Sequence, residues 1–194
     1  MLYQIFDDMT QCSEQTIARL LPLVSSQRQE QAQRYQHTFG QFCCLKSYLM
    51  LCELLSEWGR IYQIPVDEQP IFLYNEYGAP YIEGGPHFSI SHCKAGIAVV
   101  VSENLIGIDI EVIRKLNPNL MRKTMSQIEQ QYITSSATPD VEFIRLWTQK
   151  EALLKLQGTG IISDLHHVLD QSQDVSWIEI NHQSSDYICT IAHL

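Results

Sequence analysis

A β-strand that carries two acidic side chains is predicted by the stretch Leu105-Ile106-Gly107-Ile108-Asp109-Ile110-Glu111. Its isoleucines favour extended structure, and successive side chains of a strand point to opposite faces of a sheet. Asp109 and Glu111 therefore share one face, while Ile108 and Ile110 occupy the other. Carboxylate oxygens are ligands that Mg²⁺ prefers, so this face suits a magnesium ion. A solvent-exposed strand face with the same two charges is the alternative that this stretch alone leaves open.

Helices and strands follow a similar outline on each side of this stretch. Before it, strands are predicted over residues 2–6, 71–74, 87–91 and 97–101, with a turn at 75–78. Helices in this part are predicted over residues 14–21, after Ser26, and from a break near Gly40 to Trp58. After it, helices are predicted over residues 118–133 and 141–156, and strands over 177–180 and 187–192. No clear sequence repeat relates the two parts, so this α+β order only suggests an internal duplication.

Composition and charge limit the classes of protein to which the chain can belong. Hydrophobic residues make up 45% of the 194 residues, which is enough for a packed core. The formal net charge of −9 argues against nucleic acid or an anionic membrane surface as the main partner. We expect no signal peptide and no membrane span, and the six cysteines show no zinc-site spacing. The sequence therefore predicts a protein of the reducing cytoplasm.

A second charged group lies on the helix predicted over residues 141–156. Trp147, Glu151 and Lys155 are four residues apart and therefore share one face of that helix. Glu151 and Lys155 alone fit an ordinary surface ion pair, which stabilises a helix by only about 0.2–0.5 kcal/mol. A tryptophan on the same face is less expected of a plain surface helix. Gly158 and Gly160 follow and are predicted to end the helix.

Polar residues also lie on the strand predicted over residues 87–91. Ser89 and Ser91 share one face of this strand, and His92 follows at its end. A serine and a histidine suggest a hydrolase, but neighbours along a strand are poorly placed to act as nucleophile and base. No Gly-x-Ser-x-Gly elbow accompanies them. A polar contact with a ligand fits better, and a purely structural histidine is the alternative.

Taken together, these segments resemble the 4′-phosphopantetheinyl transferase superfamily, in its Sfp-type branch. The family pattern is a G-K-P turn, then F-N/S-I-S-H-S, then G-I-D-I-E, then W-x-x-K-E-A-x-x-K-x-x-G-x-G. The chain matches this order with Gly78-Ala79-Pro80, Phe88-Ser89-Ile90-Ser91-His92, Gly107-Ile108-Asp109-Ile110-Glu111, and Trp147 to Lys155 followed by Gly158 and Gly160. The matched core therefore runs from Gly78 to Gly160.

The resemblance implies an enzyme of the holo-[acyl-carrier-protein] synthase type. Such an enzyme transfers the 4′-phosphopantetheine moiety of coenzyme A to a serine of an apo acyl or peptidyl carrier protein, and releases adenosine 3′,5′-bisphosphate. The resemblance also implies a pseudo-dimer of two similar halves, here residues 1–103 and 104–194, each with a small antiparallel sheet packed against helices. The site would lie in the cleft between them. The expected protein is a monomer whose partners are coenzyme A and the carrier protein, with no nucleic acid and no membrane.

Roles for individual positions also come from the resemblance. The ligands of Mg²⁺ would be Asp109, Glu111 and Glu151. The catalytic residues would be Glu151, Lys155, Asp109 and His92, with Glu151 as the base and Lys155 beside the leaving phosphate. Coenzyme A would contact Arg28, Arg34, Lys46, Gly78, Pro80, Ser91, His92, Lys150 and Lys155. Glu129 would be a further acidic position near the site.

Ala79 departs from the family pattern, which has a lysine that contacts the 3′-phosphate end of coenzyme A. Positive charge there would have to come from Arg28, Arg34 or Lys46.

Because carrier proteins are usually acidic, docking would need an apolar patch with a few basic residues, for which the candidates are residues 113–116, Met121, Arg122 and Lys123.

Two other functions stay open. One is a magnesium-dependent phosphohydrolase, because an Asp-x-Glu strand beside a Glu-x-x-x-Lys helix also occurs in such sites. The other is a degenerate homologue that only binds carrier proteins or coenzyme A.

Overall fold

The computed structural model describes residues 1–160, 164–180 and 186–194. Its strands are β1 (Leu2–Phe6), β2 (Leu73–Tyr74), β3 (Pro80–Tyr81), β4 (His87–Cys93), β5 (Gly96–Ser102), β6 (Ile106–Val112), β7 (Ser176–Ile180) and β8 (Tyr187–His193). Its helices are α1 (Glu14–Leu20), α2 (Ser26–Gln33), α3 (Thr38–Tyr62), α4 (Pro118–Thr124), α5 (Gln127–Ser135) and α6 (Pro139–Gln157). Small antiparallel sheets combine with helices throughout, which confirms the predicted α+β class.

Strand β5 is the centre of the first half. It pairs antiparallel with β1 on one side and β4 on the other. All seven of its residues are buried, because both of its faces are covered. Ile97, Val99 and Val101 pack in the same core as α3, while Ala98 and Val100 pack with the isoleucines of β6. Alternation along one strand thus joins the core of the first half to that of the second.

The second half repeats this strand order. Its sheet runs β6-β8-β7, and the first sheet runs β1-β5-β4, so in each half the first strand pairs with the last. Helices lie between those two strands in the sequence of each half. Helix α6 packs on β6, and the two backbones touch at Gly107. A Cβ atom added there would lie 1.9 Å from the carbonyl oxygen of Ala152, so this close approach requires glycine.

The predicted break near Gly40 is wrong in position. The helices part at residues 34–37, and Gly40 lies in the first turn of α3. The glycine makes room for a side chain, since a Cβ atom there would lie 2.5 Å from the Tyr35 ring. Helix α3 also continues past Trp58 to Tyr62, and the next residue, Gln63, caps it with a left-handed φ of 55°.

The single helix predicted over residues 118–133 is in fact two helices. Helix α4 ends at Thr124, and Ser126 then begins α5. The Ser126 side chain accepts a hydrogen bond from the Glu129 backbone N–H, and the Glu129 carboxylate accepts one from the Ser126 N–H. This capping box satisfies two N–H groups that a new helix leaves exposed. Within the described ranges, no helix is both long and apolar enough to cross a membrane.

Candidate functional site

Two strands from different halves meet at the candidate site. The Ser91 hydroxyl on β4 donates a hydrogen bond of 2.7 Å to Oδ1 of Asp109 on β6. Two residues earlier on β4, Ser89 Oγ accepts a hydrogen bond of 3.1 Å from the Ile108 backbone N–H. All of these groups are buried. The strand face that carries Ser89 and Ser91 is therefore the contact between β4 and β6, called the seam below, and its Ser91 hydroxyl fixes Asp109.

Helix α6 adds the positive charge of the site. Lys155 Nζ donates to Asp109 Oδ1 at 2.6 Å and to the Ile108 carbonyl oxygen at 3.1 Å. The side chain of Lys155 is 29% exposed and that of Asp109 is 6% exposed, so the ion pair is partly shielded from water. The close approach of α6 at Gly107 makes this reach possible.

Two more carboxylates, Glu111 on β6 and Glu151 on α6, lie near enough to this ion pair for the charge of Asp109 to act on both. Burial raises the pKa of Glu111, and the charge of Asp109 raises it further. Burial also raises the pKa of Glu151, followed by the charges of Asp109 and Glu111. Lys155 lowers both pKa values, but it offsets only part of this effect. The three side chains therefore form one concentration of negative charge.

The carboxylates suit a hard divalent cation in their chemistry. Oδ2 of Asp109 is buried and has no hydrogen-bond partner, which is costly for a charged oxygen unless a ligand completes it. All three side chains offer oxygen, the donor that Mg²⁺ selects. Across residues 1–160, 164–180 and 186–194, however, no group of three or more acidic, histidine or cysteine side chains is arranged so that it could hold a metal ion. The type of donor therefore fits Mg²⁺, while the arrangement of the side chains with Lys155 on Asp109 does not form a metal site.

A tryptophan borders the carboxylates from α6. The Trp147 indole N–H lowers the pKa of Glu111, which places it close to that carboxylate. The same N–H is buried without an acceptor in hydrogen-bond geometry. Its position on the charged face of α6, four residues before Glu151, agrees with the spacing read from the sequence.

A cavity of about 210 Å³ opens beside Lys155. Its walls are the turn at residues 77–80, residues 88–90 of β4, and the end of α6, including Leu154, Lys155, Gly158 and Gly160. The turn is held by Asn75, whose side-chain oxygen accepts hydrogen bonds from the N–H groups of Tyr77 and Ala79. The Asn75 side-chain NH₂ donates to the Gly158 carbonyl oxygen at 2.9 Å. Gly78 and Pro80 therefore line a cleft that ends at the charged cluster.

His92 lies at the edge of the site. Its ring meets Phe39 edge-on at a centroid distance of 5.9 Å. Loss of surrounding water lowers the pKa of His92, and the charge of Lys155 lowers it further. The residue is exposed, so a ligand can reach the imidazole, and the lowered pKa favours its neutral form.

Three predicted contacts for coenzyme A lie away from this cavity. Arg28 is buried, and its guanidinium carbon lies 4.3 Å from the ring centre of Phe72 and 5.0 Å from that of Tyr48. Lys46 Nζ lies 4.5 Å from the ring centre of Phe6. Arg34 borders a shallow cleft beside Tyr74. The structure brings none of these three side chains into the wall of the cavity beside Lys155.

Lys150 departs most clearly from its expected role. It is 1% exposed, and its ammonium group donates to the carbonyl oxygens of Thr124 and Leu165 and to Glu129 Oε2, at 2.7–2.9 Å. An ammonium group has three N–H donors, and all three are engaged within the protein. Lys150 and Glu129 therefore hold α5 and α6 together and do not face a phosphate. Met121 is likewise buried, so it cannot belong to an exposed docking surface.

The sequence did not identify Asn75 and Tyr77 as site residues. The Asn-x-x-Gly pattern predicted the turn itself, which is confirmed by φ of 82° at Gly78. The contact that matters joins Asn75 to Gly158, 83 positions further along the chain. Local patterns carry no signal for such a contact.

Comparison with known proteins adds independent evidence. Residues 105–192 match the family model described as the 4′-phosphopantetheinyl transferase superfamily. The resemblance to this superfamily is confirmed. The matched range contains all three carboxylates of the cluster, together with Lys155.

Curated relatives agree with this match over more of the chain. The 4′-phosphopantetheinyl transferase gsp of Aneurinibacillus migulanus is 29% identical over 140 residues, 71% of this chain and 57% of that protein. The transferase psf-1 of Bacillus pumilus is 30% identical, with coverage of 75% and 62%. The transferase Sfp of Bacillus subtilis strain 168 is 27% identical, with coverage of 82% and 71%. The chain thus spans about three-fifths of the length of the first two relatives.

Proposed function

We propose that the chain transfers the 4′-phosphopantetheine moiety of coenzyme A to a serine of an apo carrier protein, and releases adenosine 3′,5′-bisphosphate. The observation that carries the proposal is the cluster of Asp109, Glu111 and Glu151 around Lys155, beside a cleft formed by the Gly78–Pro80 turn. The relatives, all named as 4′-phosphopantetheinyl transferases, favour this activity over a phosphohydrolase. The presence of all of these charged residues also argues against a homologue that only binds carrier proteins or coenzyme A.

The two halves form a pseudo-dimer in this proposal, with residues 1–103 and 104–194 as its units. The shared strand order, with the first strand paired to the last, supports this assignment. The hydrogen bond between Ser91 and Asp109 crosses from one unit to the other. A site in the cleft between the halves follows from that contact.

Mg²⁺ would be held by Asp109, Glu111 and Glu151, and the Asp109 oxygen that lacks a partner supports this set. When bound, the ion neutralises charge on the diphosphate and so favours attack on it. Ser91 and the β4 seam keep Asp109 in one orientation for that purpose.

Glu151 is our candidate for the base that accepts the proton of the carrier serine. Its raised pKa supports this role, because a carboxylate with a higher pKa takes a proton more readily. The serine oxygen then bonds to the β-phosphorus of coenzyme A, and the bond to the bridging oxygen breaks. Lys155 stabilises the leaving phosphate, since an ammonium group beside a departing anion contributes most in the transition state.

Coenzyme A would lie with its nucleotide along Gly78, Ala79 and Pro80, and with its phosphates toward Lys155, Ser91 and His92. The lining of the cavity supports this orientation, because the turn and Lys155 form parts of the same wall. Ala79 gives the turn no charge for the 3′-phosphate. Recognition of that group would therefore be weaker than in a protein with lysine at this position.

The carrier protein would dock on α5 and the end of α4. Ile128 is 80% exposed and Tyr132 is 53% exposed, one helical turn apart on α5. Arg122 and Lys123 are exposed on α4 and can meet acidic side chains of the carrier. We expect Ile128→Ser to raise KM for the carrier protein and to leave KM for coenzyme A unchanged. An unchanged KM for the carrier would exclude this surface.

The cellular setting follows from the same proposal. We place the enzyme in the cytoplasm as a monomer that acts on acyl or peptidyl carrier proteins. On an acyl carrier protein, this would be the holo-[acyl-carrier-protein] synthase reaction. All six cysteines are free thiols, which supports a reducing compartment.

Mass spectrometry tests the central proposal directly. The protein is mixed with an apo carrier protein, coenzyme A and Mg²⁺, and the carrier is expected to gain the mass of one phosphopantetheine group. Asp109→Ala and Glu151→Gln should abolish this gain while the circular dichroism spectrum stays unchanged. Glu57→Gln removes an exposed glutamate on α3 and serves as the matched control with full activity. The proposal is wrong if fatty-acid, polyketide and peptide-synthetase carriers all remain unmodified.

A further inference from the structure

Asn75 joins two walls of the cavity through one side chain. Its side-chain oxygen accepts hydrogen bonds of 3.0 Å and 2.9 Å from the backbone N–H groups of Tyr77 and Ala79, in the turn between β2 and β3. Its NH₂ group donates a hydrogen bond of 2.9 Å to the carbonyl oxygen of Gly158, at the end of α6. The same amide therefore keeps the turn in shape and attaches it to α6.

Gly158 extends this attachment to Lys155. The glycine caps α6 with a left-handed φ of 66°, and its N–H donates to the Lys155 carbonyl oxygen at 3.2 Å. A Cβ atom on Gly158 would lie 3.3 Å from the Asn75 side-chain nitrogen, so the two residues are in close contact. The turn is thus tied, through two hydrogen bonds, to the backbone of the lysine whose ammonium group meets Asp109.

The hairpin that carries the turn is short. Strands β2 and β3 contain two residues each and pair with each other, and a two-stranded hairpin is marginally stable by itself. Its base is anchored in the first half, where the Phe72 backbone exchanges two hydrogen bonds of 3.0 Å with the Gln27 side chain. Its tip is exposed. The contact of Asn75 at this tip therefore controls where the turn lies relative to α6.

The spacing of the two walls matters to a ligand because the cavity is small. Its volume of about 210 Å³ is below the range of about 300–1,000 Å³ that is usual for pockets that enclose a whole small molecule. It can hold one end of coenzyme A and not the entire molecule. A ligand that contacts the turn and Lys155 together is sensitive to the distance between them.

We propose that Asn75 is a positioning residue that fixes the distance between the turn and the end of α6, and so sets the affinity of the cavity for the nucleotide end of coenzyme A. The inference rests on the proposed function, from which it takes the ligand and its orientation. Asn75 acts through the turn and Gly158 and takes no part in the transfer step. Its loss should leave Asp109 in place, because Ser91 and Lys155 hold that carboxylate.

Calorimetric titration of the full chain with adenosine 3′,5′-bisphosphate measures nucleotide binding without any transfer reaction. The variant combines Asn75→Asp with Glu76→Gln. The new carboxylate can still accept the hydrogen bonds of the turn but cannot donate to Gly158, and the net charge of the turn is unchanged. We expect its affinity to be about fivefold weaker, as for the loss of one hydrogen bond of ordinary net strength. Asn75→Ser, whose side chain is too short to reach Gly158, should lose a similar factor.

Glu76→Gln alone is the matched control, since Glu76 is exposed in the same turn. We expect its affinity for the nucleotide to stay within about twofold of the wild-type value, as for a screened surface charge. Inorganic pyrophosphate is the second probe, because it can contact Lys155 without reaching the turn, and all variants should bind it as the wild-type protein does. In carrier modification, the double variant should raise KM for coenzyme A about fivefold and leave kcat and KM for the carrier within about twofold.

A purely structural role of Asn75 predicts a lower Tm without a change in nucleotide affinity. The inference is therefore overturned if the folded double variant binds the nucleotide as tightly as the wild-type protein, if pyrophosphate binding weakens by the same factor, or if the wild-type protein binds no nucleotide.

Two results separate this inference from the proposed function. If the wild-type protein modifies a carrier and the Asn75 variants keep its KM for coenzyme A, the positioning role is refuted and the transferase stands. If the variants lose affinity for the nucleotide but the wild-type protein modifies no carrier, the transferase is refuted and the positioning role stands.

Discussion

Replacement of Lys150 by methionine should lower the stability of the protein strongly and leave the proposed transfer reaction almost unchanged. In the native protein the ammonium group is 1% exposed and has three partners, Glu129 and the carbonyl oxygens of Thr124 and Leu165. Methionine fills a similar volume but donates no hydrogen bond. The substitution therefore leaves a carboxylate that is only 14% exposed without its counter-ion, and two carbonyl groups without a donor.

The expected loss of stability is large for a single substitution. Removing one partner of a buried ion pair costs about 3–5 kcal/mol, because the other charge stays buried and uncompensated. We take about 4 kcal/mol, which corresponds to a fall in Tm of roughly 8–16 °C for a chain of this size. Lys94→Met is the contrast. Its side chain is exposed in the turn that follows β4, so we expect a loss of stability below about 0.5 kcal/mol.

Thermal unfolding followed by circular dichroism measures both variants, and carrier modification is assayed at a temperature where each is folded. Lys150→Met should keep KM for coenzyme A within about twofold, because Lys150 does not line the cavity. Adding Glu129→Gln, which keeps the capping box, should recover part of the stability, since the uncompensated charge is gone. An unchanged Tm together with a tenfold higher KM would refute this reasoning and return Lys150 to the phosphates.

Three further predictions concern the walls of the site. Gly107→Ala should lower the free energy of unfolding by about 3 kcal/mol and reduce the rate of carrier modification, because the new methyl group meets the Ala152 carbonyl oxygen and pushes α6 away from β6. A Tm and an activity equal to those of the wild-type protein would contradict this. NMR titration should place the pKa of His92 below its usual value of about 6.5. The neutral form of His92 therefore contributes its full stabilisation above about pH 6.5, and this contribution is lost as the pH falls through the lowered pKa. In Lys155→Met the His92 midpoint should rise, since a repelling positive charge is removed, and an unmoved midpoint would rule out that charge as a cause. Ala79→Lys should increase the preference for coenzyme A over 3′-dephospho-coenzyme A by about fivefold in kcat/KM, and an equal effect on both substrates would exclude a contact with the 3′-phosphate.

The elements that build the site were largely predictable from the sequence. Alternation along β6 placed Asp109 and Glu111 on one face, and the four-residue spacing on α6 placed Glu151 and Lys155 together. Both patterns are local, because they depend on the repeat of one strand or one helix. What they could not provide was the contact between the elements, such as the hydrogen bond from Ser91 to Asp109.

Lys150 shows why the remaining assignments failed. It neighbours Glu151 in the sequence, but consecutive residues of a helix point about 100° apart, so one lines the site and the other the interior. Its partner Glu129 lies in the first turn of α5, in a capping box that the helical periodicity across residues 118–133 did not reveal. The Ser-x-x-Glu pattern at residues 126–129 was the signal that could have revealed both the new helix and the place of Glu129.

Arg28 illustrates a different limit. A basic residue on an early helix was expected to meet a phosphate, yet its guanidinium group lies over the rings of Phe72 and Tyr48. Cation–π contacts of this kind depend on residues far apart in the chain. Charge alone, read from the sequence, does not distinguish a ligand contact from such packing.

The contact between β4 and β6 links the proposed activity to the assembly of the two sheets. Ser91 lies in the sheet of β1, β5 and β4 and Asp109 in the sheet of β6, β8 and β7, so a displacement between the two strands would break their 2.7 Å hydrogen bond. If the chain were cut between residues 103 and 104, one fragment would contain Ser91 and the other Asp109, so the hydrogen bond to this carboxylate would form only when the fragments associate. Carrier modification by the mixed fragments would then report whether the halves had found their native alignment, which makes the reaction a sensor of their association.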